Sequence, residues 1–443
     1  PGKDTTAREA EMRFYDKDSV NIVTGEKEYD FNETLSIVDG SLKTDMEIKG
    51  VPVSLNNWVS ATDNVMITEV TSKGEEPVEL EGCLWVKSDV EEFPLASGVK
   101  DGKVWASKKS VNLVENQNET SWTSEVVLES KILGDEAEAV KDTDREASLV
   151  FTLDPGETVQ IVTAVGGGGQ NYDWQGNAQG QKPGEEAEEL LAKYTSAEDL
   201  EELKAENDNW WKDYWLKSYI DIGDEQLHRY YYGSLYYMAC TSRADTLPSG
   251  LYGIWITTDG AMWNGDYHMN YNYIAPFYGM YSSNRYEHAK SLKDPLLDFM
   301  EERERRALTD LPNVYYDYIY GGNQPSENGT VWNNGKFDGR PELQNGIEDA
   351  VLYPVGLGPW GSYTWGGEHG GYLMQAYDAG FPAMAMTAYY NYTKDGEYLK
   401  EVYPYLLANA NFYEKWCEKE VFEDGTYRYN VWNGAHENTF DMN

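Results

Sequence analysis

Positive charge, cysteine and histidine are all scarce in this 443-residue sequence. Lysine and arginine together number 36 against 77 aspartates and glutamates, a formal net charge of -41. So little positive charge leaves no broad surface to neutralise nucleic-acid phosphates or anionic headgroups, so neither nucleic acid nor membrane is expected as a partner. Cys83, Cys240 and Cys417 lie far apart and form no Cys-x-x-Cys pair, which excludes a zinc knuckle or a disulfide framework and predicts buried free thiols. The five histidines are dispersed and His-Glu-x-x-His is absent, so no catalytic metal and no cofactor is expected. No apolar run approaches the roughly 18 residues of a spanning helix, and no signal-peptide pattern opens the chain. The expectation is a soluble molecule with any leader already removed, and the acidic, cysteine-poor balance suits a bacterial secreted or surface enzyme.

Two motif classes are also missing. There is no Gly-x-Ser-x-Gly elbow for a serine hydrolase. The glycine-rich stretch at 166–184 lacks the Gly-Lys-Ser/Thr that would cradle a phosphate.

Aromatic residues, by contrast, are abundant: 35 Tyr, 15 Trp and 11 Phe. Many lie between Trp210 and Trp432, mixed with Asn, Gly and acidic residues. Such side chains offer an apolar face to the C–H surface of a sugar ring and a polar tip to its hydroxyls, although most also serve helix packing.

From about Asn21 to Ala164 the sequence alternates polar and apolar residues in short runs bounded by Gly, Asp, Asn and Pro, which predicts an antiparallel β-sandwich. The stretch at 166–184 reads as a loop. Beyond Glu185 the period becomes helical, with Ser196 and Asp199 spaced as a capping box. Apolar helical stretches follow at 225–242, 286–306, 371–392 and 396–421, separated by long Gly-, Asn- and Trp-rich loops. The domain reading is a sandwich over 1–184, a helical linker over 185–222 and an α/α toroid over 223–443 whose loops build the site.

Three segments carry candidate chemistry. In Gly250 to Tyr273, Asp266 and His268 precede Asn270 and Asn272 in a loop entering a predicted helix. Two amides at this spacing can hold one water or sugar hydroxyl without titrating, or else cap the helix and tie down the loop. In Trp432 to Asn443, Glu437 stands between His436 and Asn438, where aromatic and amide neighbours could raise a carboxyl enough to make it a general acid. In residues 363–375, glycines around Glu368 and His369 allow close backbone approach, with Trp365 and His369 as substrate contacts.

These pieces together resemble glycoside hydrolase family 95: a sandwich, a linker bearing WWKDYW, then SLYYMACTSR, GLYGIW, WNGDYHMNYNY and YLKEVYPYLLANANFYEKW. The similarity runs over roughly residues 20–443, and NGDYHMNYN, similar to the family's Asn-x-Asn motif, is its most specific part. The resemblance implies an (α/α)6 toroid and an exo-acting inverting enzyme, an α-L-fucosidase or α-L-galactosidase acting on oligosaccharides or glycans. It implies that Asn270 and Asn272 hold the attacking water and that Glu437 protonates the leaving oxygen, with Trp263, Asp266, His268, Trp365, His369 and His436 shaping the sugar pocket. Ala435-His436 stands where the family usually has Ser-Pro. The family's assisting Asp is expected beyond residue 443, in the part of the toroid that this chain would lack, with Asp266 the only local substitute. The rival expectations are a phosphorylase on a related scaffold, which would need cations near the Asn motif, and a carbohydrate-binding protein without turnover.

Overall fold

The computed structural model describes residues 10–16, 31–111, 123–134, 137–167, 182–244, 246–256, 258–310, 346–358, 377–430, 435–436 and 439–440. The chain divides into two compact units, Pro1–Asp221 with Ile256–Gly260, and Ile222–Trp255 with Ala261–Asn443.

Period-two runs form the first unit. Twelve strands are described: β1 (Ala10–Asp16), β2 (Phe31–Ser36), β3 (Ser41–Ile48), β4 (Val51–Val59), β5 (Val65–Ser72), β6 (Val78–Val86), β7 (Leu95–Lys100), β8 (Lys103–Val111), β9 (Thr123–Leu133), β10 (Glu138–Lys141), β11 (Glu146–Leu153) and β12 (Thr158–Gly167). They pair antiparallel into a four-stranded sheet, β1-β6-β11-β10, and an eight-stranded sheet, β2-β3-β4-β5-β12-β9-β8-β7. The first strand begins before Asn21, so the sandwich reaches further towards the N-terminus than the alternation predicts.

Alternation along a strand sends successive side chains to opposite faces. On β12, Val159 and Ile161 enter the core between the sheets with Leu80, Leu84, Leu149 and Phe151. Val162 and Ala164 face the other way, into a second core with Ala187, Leu191, Leu200 and Leu203. Those four residues belong to α1 (Pro183–Lys193) and α2 (Ala197–Trp215), which cover the outer face of the large sheet. At Gly166 a Cβ would lie 1.9 Å from the Pro183 carbonyl oxygen, so only glycine lets the start of α1 come this near the strand. The capping box forms as its spacing predicts: Ser196 accepts from the Asp199 N–H while the Asp199 carboxylate accepts from the Ser196 N–H. Asn207 on α2 is fully buried; it accepts from the Ala61 N–H at 3.1 Å and donates to the Asp39 carbonyl at 3.2 Å.

A buried ion pair lies in the same unit. Lys108 of β8 and Asp259 are 2% and 3% exposed, and their side chains are in contact. The Asp259 carboxylate also accepts from Ser88 Oγ and the Asp89 N–H, each at 2.7 Å. Burial by itself would raise this carboxyl, but the bonds from Lys108, Ser88 and Asp89 outweigh it and hold the group below its ordinary range.

The second unit is helical. It contains α3 (Glu225–Thr241), α4 (Tyr278–Ser282), α5 (Asp294–Asp298), α6 (Met300–Asp310), α7 (Gly380–Thr393) and α8 (Gly396–Trp416). The stretch predicted as one helix over 286–306 is broken instead into a 3-10 segment (Tyr286–Lys293), α5 and α6. Pro295 marks the first break: it has no N–H to bond back into the preceding turn, and it sits in the first turn of α5, where that missing donor costs nothing. The helix predicted over 396–421 ends at Trp416. Cys417 is extended, and β13 (Glu418–Val421) pairs with β14 (Tyr427–Asn430). Cys83 and Cys417 are buried and Cys240 half-buried, and no two of them are bonded to each other. Among the described residues no helix is long and apolar enough to cross a membrane.

Candidate active site

The segment from Gly250 to Tyr273 does not run straight into a helix as expected. It turns, closing on itself and bonding at two points to distant backbone. Leu251 donates to the Asp266 carbonyl at 2.8 Å, Tyr267 to that of Leu357 at 3.1 Å and Met269 to that of Val355 at 2.6 Å. Only a 3-10 turn (Ala275–Phe277) and the five residues of α4 follow, and the left-handed backbone at Asn284 bars the helix from continuing.

Two non-glycine residues of the segment occupy the left-handed region, Trp263 at φ 50° and His268 at φ 38°. A bulky Trp is a genuine outlier there, so the rest of the segment must impose the conformation at Trp263, whereas His tolerates it better. The Asp266 carboxylate helps to hold the backbone at His268, for its Oδ1 accepts from the His268 backbone N–H and lies 3.0 Å from His268 Nδ1. A proton on Nδ1 leaves Nε2 as the acceptor of the neutral ring. The His268 ring is 5.8 Å from that of Trp263, which is 44% exposed. Asp266 is itself buried, and its bonds to His268 make it a clamp for the ring.

Asn270 is 3% exposed, and neither Oδ1 nor Nδ2 has a hydrogen-bond partner among the described residues. A buried primary amide with all its bonding capacity unspent is rare and requires a reason. The structural alternative, an Asn capping the next helix, does not occur: neither the 3-10 turn nor α4 has a side-chain cap. Asn272, in contrast, is exposed, so the two amides of the motif sit in different surroundings.

The remaining candidates are described less fully. His436 belongs to β15 (Ala435–His436), which pairs with β16 (Thr439–Phe440). Glu437, Trp365, His369, and the loop residues 168–181 with Trp174, lie outside the described residues. Among the described residues no group of three or more His, Cys, Asp or Glu side chains is placed to hold a metal ion.

One buried polar group escaped sequence reasoning. Asp378 is completely buried, and neither carboxylate oxygen has a hydrogen-bond partner among the described residues. Burial pushes this carboxyl well above its ordinary range. An Asp just before an apolar helix reads as a cap, yet α7 has no side-chain cap, so no local signal distinguished it.

Among solved structures, the chain is similar to a protein from the human microbiome assigned as a kojibiose phosphorylase, with 14% identity over 96% of this chain and 51% of that one and a TM-score of 0.57. That similarity shows the fold: an antiparallel β-sandwich followed by helices of the (α/α)6 type. A bacterial glucoamylase complexed with acarbose matches at 12% identity over 93% of this chain and 53% of its own, with a TM-score of 0.46, too low to establish a common fold. The chain thus spans about half the length of either structure. No curated protein matched. The model of the glycosyl hydrolase family 95 catalytic domain matches residues 191–441, which include the turn bearing Asp266, His268 and Asn270, so this chain belongs to glycosyl hydrolase family 95.

Proposed function

We propose that the full-length protein is an exo-acting, inverting α-glycoside hydrolase that removes terminal α-L-fucose or α-L-galactose from oligosaccharides or glycans. The observation that carries the reading is Asn270, a buried amide with both polar atoms unspent, in the turn where a clamped histidine and an exposed tryptophan also lie. Family membership supports glycoside hydrolysis as its use.

In this reading Asn270 and Asn272 hold the attacking water, and Glu437 gives its proton to the glycosidic oxygen as the bond from that oxygen to the anomeric carbon breaks. The new bond forms from the water oxygen to the opposite face of the same carbon, and a carboxylate takes the water's proton. Asn cannot take it, because a neutral amide is not a base. Room for water requires roughly 6.5–9.5 Å between the two carboxyl groups of an inverting pair. Asp266 is a poor choice for the base, being bonded to His268; the reading assigns that role to an Asp beyond residue 443. Trp263 and His268 shape the sugar site together with Trp365, His369 and His436. Acidic composition favours a secreted or surface setting.

A proton NMR time course with α-L-fucosides, α-L-galactosides and α-D-galactosides tests the reading. Early β-anomer from an α-L-linked substrate is the expected result. Sugar phosphate released only when inorganic phosphate is present would replace it with phosphorolysis, and tight sugar binding without release would replace it with a lectin-like role.

A further inference from the structure

A half-exposed tryptophan is tied to the turn that carries Asp266 and His268. Trp255 is 50% exposed, and its ring meets that of Tyr237 on α3, 55% exposed, edge to face at 5.2 Å. The adjoining Tyr252 and Ile254 are exposed as well. Two glycines make the connection. Gly253 has φ 65°, and a Cβ there would stand 2.9 Å from the Trp255 ring, so a side chain at this position would push the indole off the turn. Gly253 donates to the Gly250 carbonyl at 3.1 Å, and a Cβ at Gly250 would lie 2.5 Å from the Gly265 carbonyl oxygen. Leu251, between them, donates to the Asp266 carbonyl at 2.8 Å. The indole thus rests on one end of a four-residue turn whose other end is seated on Gly265 and Asp266, and no more than about 7 Å of chain separates Leu251 from Gly253. Asp266 in turn clamps His268.

We propose that Trp255 and Tyr237 form a platform for the part of the glycan that stays behind when the terminal sugar is released, the indole covering the C–H face of the neighbouring sugar. The inference rests on the exo-hydrolase reading given above. An exo-acting site encloses the terminal unit and leaves the rest of the glycan outside in water, so exposed side chains beside the site, and not buried ones, are what can hold that remainder. A sugar lays its C–H face on an aromatic ring while its hydroxyls stay hydrated, which suits a side chain that is half in water. The fold itself gains nothing from the exposed half of Trp255, because burial stabilises in proportion to the apolar area removed from water. The ring is also held before any ligand arrives, by the Gly253 backbone and the Tyr237 ring, and this lowers the ordering cost of binding.

The test uses the full-length protein and two substrates that share a terminal sugar, methyl α-L-fucoside and an α-L-fucosylated lactose, or the α-L-galactose pair if that is the sugar released. The unaltered protein should show the higher kcat/KM on the longer substrate; no such preference would overturn the proposal. Trp255→Ala should lower kcat/KM on the longer substrate about five- to tenfold, the scale of one aromatic contact, and on the methyl glycoside by less than about twofold. Trp255→Phe keeps a smaller ring and should give an intermediate loss confined to the longer substrate, and it carries the test should the Ala variant fail to fold. Unchanged kcat/KM on the longer substrate in both variants would overturn the proposal. Equal losses on both substrates with a lower melting temperature would do so too, making the pair a packing surface instead. If the unaltered protein releases sugar from neither substrate, the functional reading fails and takes this inference with it; an active protein with indifferent variants refutes this inference alone.

Discussion

Removing the carboxylate of the buried Lys108–Asp259 pair should be among the most damaging single changes in the β unit. Asp259→Ala leaves the Lys108 ammonium at 2% exposure with its carboxylate partner gone, and it also deprives the Asp89 N–H of this acceptor. Breaking a buried pair by deleting one partner costs about 3–5 kcal/mol, most of it the desolvated charge left behind. Lys108→Met combined with Asp259→Ala removes that charge as well and should recover about 2 kcal/mol or more of the loss. Urea unfolding followed by tryptophan fluorescence measures both, with hydrogen exchange of the β8 amides identifying the transition of this unit. The pair should also be acid-sensitive. Since the folded carboxyl sits below its ordinary value of 3.8, its stabilisation is fully present above that value and disappears as pH falls through the lower, folded one. A single variant costing under about 1 kcal/mol, or a double variant costing the sum of the singles, would refute the claim that the ammonium is desolvated and depends on Asp259.

Asn207→Ala removes two buried hydrogen bonds, to the Ala61 N–H and the Asp39 carbonyl, and should cost about 1–3 kcal/mol, read from the same unfolding curves. Asn270→Ala and Glu437→Gln should each keep sugar binding while lowering kcat, the acid variant by about 10²–10⁴, with a smaller loss on substrates carrying an activated leaving group; initial rates on paired substrates check this. His268→Gln should weaken substrate binding, whereas Asp266→Asn, which keeps the side chain's size but not its charge, should weaken it less; KM for the two variants makes the comparison.

Much of the fold was legible because its signals are local. The runs around Val65–Ser72 and Thr158–Gly167 are rich in β-branched residues and bounded by turn residues, as strands are, and the Ser196–Asp199 spacing marks a helix start by itself. The lateral order of the large sheet was not, since β5 pairs with β12 across about ninety residues and nothing near either strand names its partner. Lys108 reads as a surface residue in an alternating strand, and only the arrival of Asp259 from 151 residues away makes its burial tolerable. In the site, the motif around Asn270 drew attention through its residue types, but the difference in burial between Asn270 and Asn272 depends on the turn that Val355 and Leu357 hold. Asp378 could not be distinguished from dozens of other acids, because an absent partner leaves no mark on a sequence.

The left-handed backbone at Trp263 and His268 has a consequence for directed evolution. Each such position carries a steric penalty of about 1–2 kcal/mol that glycine would not incur. A library varied at these two positions and selected only for heat resistance should therefore drift towards glycine, discarding both rings while the turn itself survives. Selection for saccharide release should retain the costlier side chains. A survey of stabilised variants that ignored turnover would then mistake the two most informative residues of the turn for flaws awaiting repair.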